Sequence, residues 1–218
     1  MKKVYDTINQ YCVEHELLTN GDGIVIGLSG GMDSVCLLQV LAALRNEWQL
    51  RLVCVHVHHG IRGTAADEDA AFAQRLAAKY NISFRLYEMD IPQLAKEQGL
   101  SEEEAGRNYR YRCFEEVRKE LNFDKIAVAH HRDDQAETVL WQILRGSGLR
   151  GVCGMRAGRA NIIRPLLCLD RQQIEQIVRG NGDGWREDAT NREEKYTRNK
   201  IRNRVFPYIC LLYTSPSP

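Results

Sequence analysis

The chain has 218 residues, 44% of them hydrophobic, with a formal net charge of +1, the values of a globular protein that can bury one good-sized core. No apolar run reaches the length of a bilayer-spanning helix, and the start, Met1-Lys2-Lys3-Val4-Tyr5-Asp6, lacks the long apolar segment of a secretory signal, so a cytoplasmic protein is expected. Cysteines at 12, 36, 54, 113, 153, 168 and 210 form no C-x-x-C pair, which argues against a zinc site or a dithiol redox motif and fits reduced thiols.

Charge is unevenly spread. Residues 1–144 hold 16 Lys/Arg and 22 Asp/Glu, a balance of −6, whereas residues 145–209 hold 14 and 7, a balance of +7. This asymmetry suggests a polyanion-facing region, against the plainer reading of a solvated basic surface.

Strand and helix patterns alternate along the chain. The apolar run Ile24-Val25-Ile26-Gly27-Leu28 predicts a buried strand, and Asp33 to Arg45 a helix with one apolar stripe. Strand 52–55, helix 65–80 and strand 84–89 follow. Ser101-Glu102-Glu103-Glu104 is a capping-box start for a helix reaching about Leu121. Strand 126–129 and a helix from Glu137 to Arg145 complete the alternation. Repeated units of this kind imply an α/β fold, a parallel sheet with helices on both faces, whose ligands sit at the carboxyl ends of the strands. Beyond Arg145 lies a Gly- and Arg-rich connector, then a short strand at 162–163 and helices at 170–179 and 195–205. The uncharged segment 210–218 reads as a tail foreign to the fold, leaving 1–209 as one catalytic domain with its basic part at about 145–209.

Three clusters carry chemistry, each directly after a predicted strand. In Ser29-Gly30-Gly31-Met32-Asp33-Ser34 the glycines let the backbone approach a ligand, and the helix that follows offers N–H groups and a positive dipole end to phosphate. The loop has neither the Walker pattern nor G-x-G-x-x-G, so γ-phosphate hydrolysis and dinucleotide binding are not implied. In His56-Val57-His58-His59-Gly60-Ile61-Arg62, His56 and Arg62 read as groups facing phosphate or substrate rather than as zinc ligands. In His130-His131-Arg132-Asp133-Asp134-Gln135-Ala136-Glu137-Thr138, Asp133 is the expected helix cap. Asp134 and Glu137 share a helical face, where a carboxylate could hold Mg2+ against phosphates or take a proton from an attacking amine. Arg107 and Arg110 share a face of the helix after Ser101, suited to charge developing on a phosphate.

The loop 29–34 resembles the PP-loop, S-G-G-x-D-S, of the ATP pyrophosphatase superfamily, a Rossmann-like fold that cleaves ATP between its α and β phosphates. Together with H-V-H-H-G-I-R (56–62), E-A-G-R-N-Y-R-Y (104–111), A-H-H-R-D-D-Q-A-E-T (129–138), L-R-G-S-G-L-R-G-V-C-G-M (144–155), R-P-L-L (164–167), W-R-E-D-A-T-N (185–191) and R-N-K-I-R (198–202), it resembles the tRNA(Ile)-lysidine synthase family. That resemblance implies ATP, with Mg2+, as cofactor, and tRNA(Ile) bearing a CAU anticodon and free L-lysine as partners; a homodimer is the candidate assembly. ATP adenylates the C2 oxygen of the wobble cytidine, and the lysine ε-amine then displaces AMP. Carried over residue by residue, Asp33, Arg110 and Asp134 are catalytic, and Asp33 and Asp134 are the metal candidates. Ser29, Gly30, Gly31, Met32, Asp33, Ser34, His56 and Arg62 bind ATP, and Arg145, Arg150, Arg198 and Arg202 face the tRNA. Further domains known in many members are not expected in this chain. A tRNA thiolase, a small-molecule amidating ligase and a non-catalytic nucleotide- or RNA-binding module are the competing readings; the missing C-x-x-C, the basic 145–209 segment and the intact Asp33, Arg110 and Asp134 set argue against them in turn.

Overall fold

In the computed structural model, residues 2–58, 64–148, 153–186 and 205 are described, the side chains of 64–66 excepted. The elements run α1 (Lys2–Glu14), β1 (Gly23–Gly27), α2 (Met32–Leu44), β2 (Arg51–His58), α3 (Thr64–Lys79), β3 (Ser83–Glu88), α4 (Ile91–Gln98), α5 (Glu102–Glu120), β4 (Lys125–Ala127), α6 (Arg132–Leu144), β5 (Gly158–Arg159), β6 (Ile162–Ile163), a 3-10 turn (Pro165–Cys168) and α7 (Arg171–Gly180). The expected helix 195–205 falls outside the described residues apart from Val205, as does the segment 210–218.

The strands form one sheet in the order β3-β2-β1-β4-β6-β5. Every neighbouring pair is parallel except β5 with β6, so the expected parallel sheet gains an antiparallel edge hairpin. Gly158-Arg159 has no apolar residue to announce β5 in the sequence, unlike Ile162-Ile163. Alternation across the pleat sends Ile24 and Ile26 to one face and Val25 to the other, all fully buried. The first face packs against α1, α2, α3 and α7, the second against α4 and α5. Burying each such aliphatic side chain contributes roughly 1.5–3 kcal/mol. The sequence reading missed α1 and α4. Only Ile8 and Cys12 of α1 and Ile91 and Ala95 of α4 are buried, two anchors each, too few for a clear helical stripe.

Among the described residues no helix is long and apolar enough to cross a membrane. Cys12, Cys36, Cys54 and Cys113 are buried free thiols; burial pushes Cys12 and Cys54 up to about 12, far from reactive thiolates.

The chain moves from β1 outward through β2 to β3, then returns through α4 and α5 to place β4 on the other side of β1. The switch point therefore lies between the carboxyl ends of β1 and β4, where this class of sheet opens a crevice. Helix α5 crosses close to that end: a Cβ on Gly27, the last residue of β1, would lie 2.7 Å from the Phe114 ring. Gly27→Val should therefore destabilise the fold by about 1–3 kcal/mol through overpacking. A urea melt checks this; an unchanged midpoint would mean that α5 yields freely.

Candidate active site

Helix α2 begins differently from its neighbours. Asp90, Ser101, His131 and Asp170 each cap the helix that follows with a side-chain acceptor. Gly31, at the start of α2, supplies none. Gly31 thus offers no capping side chain to the first turn of α2, which starts directly at the switch point, an arrangement suited to an anion.

The loop before α2 is shaped from within. Gly30 adopts φ +89°, a conformation that favours glycine. Ser34 is buried, and its Oγ accepts from the N–H groups of Ser29 (3.2 Å) and Gly30 (3.1 Å) and from Ser29 Oγ (3.1 Å), while donating to the Gly31 carbonyl (2.9 Å). Ser34 therefore positions the loop through its hydroxyl. Ser34→Ala should cost about 1–3 kcal/mol, the penalty of stranding partly buried loop donors. It should also weaken nucleotide binding, as read by thermal unfolding and equilibrium dialysis; wild-type values in both would give Ser34 no organising role.

His56 plays a similar part from β2. It is buried, and its Nδ1–H donates to the Leu28 carbonyl (2.8 Å), tying β2 to the base of the loop. Burial pulls its pKa below the ordinary imidazole value, outweighing the Leu28 hydrogen bond. The folded state therefore takes up the His56 proton less readily than the unfolded state. Stability is full above the unfolded pKa of about 6.5 and declines as pH falls below it. His56→Asn, which can keep a donor at the Nδ1 position, should shrink the fall in urea midpoint between about pH 8 and about pH 5.5. Equal slopes in both proteins would contradict this.

Across the switch point, α6 starts at Arg132, five residues earlier than expected. Its cap corrects the reading of Asp133. His131 is the N-cap, its Nδ1 accepting from the Asp133 N–H (3.3 Å), while Asp134 Oδ2 accepts from the His131 N–H (3.0 Å). An imidazole nitrogen stands in for the usual oxygen, which is why the motif is not obvious from sequence. With Nδ1 an acceptor, the His131 proton sits on Nε2. That atom makes no hydrogen bond and lies 3.7 Å from Asp33 Oδ2 and 3.5 Å from Asp134 Oδ2. One buried imidazole therefore bridges the β1 loop and the β4 loop. Asp134 and Glu137 are the buried residues of α6, so its inward face is acidic, as their spacing predicts.

Arg171, at the start of α7, approaches Asp33 Oδ1 at 3.6 Å. Like His131, it is a neighbour of Asp33 that sequence reasoning did not single out, because no local pattern ties the start of α7 to α2. Arg186 covers the loop from another side. Its N–H donates to the Gly30 carbonyl (2.9 Å), and its guanidinium pairs with Asp69 (2.7 Å) and Glu68 (2.7 Å) of α3. Nearby, Asp183 accepts from Gln39 (2.7 Å), Lys79 (2.5 Å) and Tyr80 (2.6 Å), fastening the segment after α7 to α2 and α3.

Arg110 lies on α5 one helical turn before Phe114, hence toward the carboxyl end of β1. Its side chain is exposed, and its charge acts on His56. Arg145 is exposed, with Cζ 4.6 Å from the centre of the Trp141 ring. It ends α6 eleven residues from Asp134, about 16 Å along the axis, and so outside the cluster around His131. Arg62, Arg150, Arg198 and Arg202 lie outside the described residues.

Residues 2–209 match the PP-loop domain family. The tRNA(Ile)-lysidine synthase of Caldanaerobacter subterraneus is 48% identical over 209 residues, and that of Clostridium tetani 42% identical over 207. These alignments take in 96% and 94% of this chain but 44% of each relative, so the chain spans less than half the length of these curated relatives. Among solved structures, the U34-tRNA thiolase NcsA from Methanococcus maripaludis superposes with a TM-score of 0.75 at 19% identity, covering 98% of this chain and 73% of that one. The NH3-dependent NAD synthetase from Campylobacter jejuni superposes at 0.54 and 17% identity, covering 100% and 86%. Identities this low speak for the fold alone.

Proposed function

This chain belongs to the PP-loop domain family, and on that premise we propose that it carries the ATP-dependent chemistry of a tRNA(Ile)-lysidine synthase. The observation that supports this best is the side-chain-uncapped start of α2 with Asp33 facing Asp134 across His131, one carboxylate from each side of the switch point.

In this reading the loop 29–34 and the first N–H groups of α2 hold the phosphates of ATP, with His56 and Arg62 supporting the nucleotide side. The C2 oxygen of the wobble cytidine attacks the α phosphorus, the bond to the bridging oxygen breaks, and pyrophosphate leaves with the electron pair. Arg110 neutralises charge growing on the α-phosphate. The ε-amine of lysine then attacks C2, the C2–O bond breaks, AMP departs, and Asp134 takes up the proton released by the amine. Asp33 and Asp134 supply the hard oxygen donors that Mg2+ prefers, and one or two carboxylates with phosphate oxygens would hold such an ion. Such an ion, when bound, offsets phosphate charge. Arg145, Arg150, Arg198 and Arg202 supply backbone contacts to the tRNA, and the reaction belongs in the cytoplasm.

The test is incubation of this chain with labelled lysine, ATP and tRNA(Ile)-CAU, followed by mass analysis of the anticodon nucleoside. A cytidine heavier by one lysine less water is expected. ATP and tRNA binding with no such product would leave only a binding fragment and overturn the catalytic reading.

A further inference from the structure

Arg164 follows β6 at the carboxyl edge of the sheet, and it is 8% exposed. Its Nη1 donates to the Arg156 carbonyl (2.9 Å), while its buried Nε has no hydrogen-bond partner. Among the described residues no carboxylate forms an ion pair with it. The arginine charges that act on it are of its own sign, those of Arg107 of α5 and Arg159 of β5. Arg107 is itself exposed, 5.6 Å from the centre of the Tyr111 ring. A buried guanidinium without a counter-ion is costly, and like-charged neighbours add to the cost. A fold that needed only a filler there would do as well with an apolar side chain of the same length. The cost is recovered if an anion completes the cluster.

We propose that Arg164, with Arg107 and Arg159, forms a second phosphate-binding site, separate from the loop before α2, that takes a backbone phosphate of the substrate RNA. The source could be RNA or ATP, and two observations favour RNA. Arg164 stands two strands from β1, about 10 Å across the sheet from the strand that carries the PP-loop. Arg156, whose carbonyl it bonds, is among the residues lining an open hollow of about 540 Å³, with Tyr11, His15, Gln135, Met155 and Gly158. That hollow has room for a nucleoside beside the phosphate, with the Tyr11 and His15 rings 4.4 Å apart on its wall. The RNA source rests on the function proposed above; the phosphate site itself does not.

The experiment compares wild type, Arg164→Met, Arg164→Lys and Arg107→Gln in binding an RNA stem-loop with a CAU loop and in binding ATP, with melting temperatures measured alongside. Arg164→Met keeps the volume and removes the charge. It should melt no lower than wild type, bind the stem-loop on the order of tenfold more weakly, and flatten the salt dependence by about 0.7 to 0.9 in slope. Its ATP affinity should be unchanged. Arg164→Lys should retain more RNA affinity than the Met variant. Exposed Arg107→Gln should weaken RNA binding without affecting the fold, and it carries the test should Arg164→Met fail to fold. A variant that melts lower yet binds RNA and ATP as wild type does would make Arg164 structural and overturn the proposal. If wild type binds no RNA, the functional reading fails, and the ATP arm decides the site: ATP affinity reduced by Arg164→Met keeps a phosphate site filled by nucleotide, and unchanged affinity removes it.

Discussion

Asp33→Ala is expected to cut ATP-driven adenylation by more than roughly 10²-fold while leaving the fold in place. Asp33 sits in the first turn of α2, where the helix dipole favours a carboxylate by about 0.3–1 kcal/mol. Its pair with Arg171, half-exposed at 3.6 Å, contributes about 0–1 kcal/mol. The structural loss from these two contributions is therefore small. If Asp33 served only the helix, its removal would relieve repulsion from the triphosphate, and nucleotide binding would improve. A role in holding a cation against the phosphates, with His131 between it and Asp134, predicts the opposite. Pyrophosphate release should collapse in Asp33→Ala and also in Asp33→Asn, which keeps the shape without the charge. Release at the wild-type rate in either variant would remove Asp33 from the chemistry.

Arg110→Ala should lower kcat on the order of 10²–10³-fold with little change in the apparent ATP affinity, the pattern of a group that acts mainly on charge developing in the transition state. Arg110 is exposed and lies on α5 near the end of β1, and a melting temperature measured alongside separates a loss of rate from a loss of fold. Arg110→Lys should recover only part of the rate, because an ammonium keeps the charge but not the planar fork that matches phosphate oxygens. Single-turnover kinetics separate the steps. An increased ATP KM with an unchanged kcat would make Arg110 a binder of the ground state.

Asp134 shows how a local rule can point to the right place and assign the wrong residue. Three polar residues before a helical run announce a cap, and Asp133 is the acidic candidate. The observed cap is His131, with Asp134 bonded back to the His131 N–H. Side-chain rotamers decide between these options, and they are set by packing against the β1 loop rather than by propensity. One practical result is that Asp134→Asn retains an oxygen acceptor for that N–H, so a rate loss in this variant would report the missing charge rather than a frayed helix.

The amino-acid sequence by itself determined the α/β alternation, β1 to β4 in outline, and the position of the Gly-rich loop between β1 and α2. Each of these rests on a periodicity or a short motif within about twenty residues, where hydrophobic patterning and glycine conformations act locally. It also marked Asp134 and Glu137 as one face of a helix, since helical spacing alone fixes that. Only the tertiary structure decided that β4 lies beside β1, bringing His131 between Asp33 and Asp134, residues about a hundred positions apart. It likewise placed Arg171 at Asp33, turned Ser34 into a loop brace, and left Arg164 buried among cations with no carboxylate. Strand order and the burial of a charge depend on which distant surfaces meet. Long-range packing settles both, and no local window of sequence records its outcome.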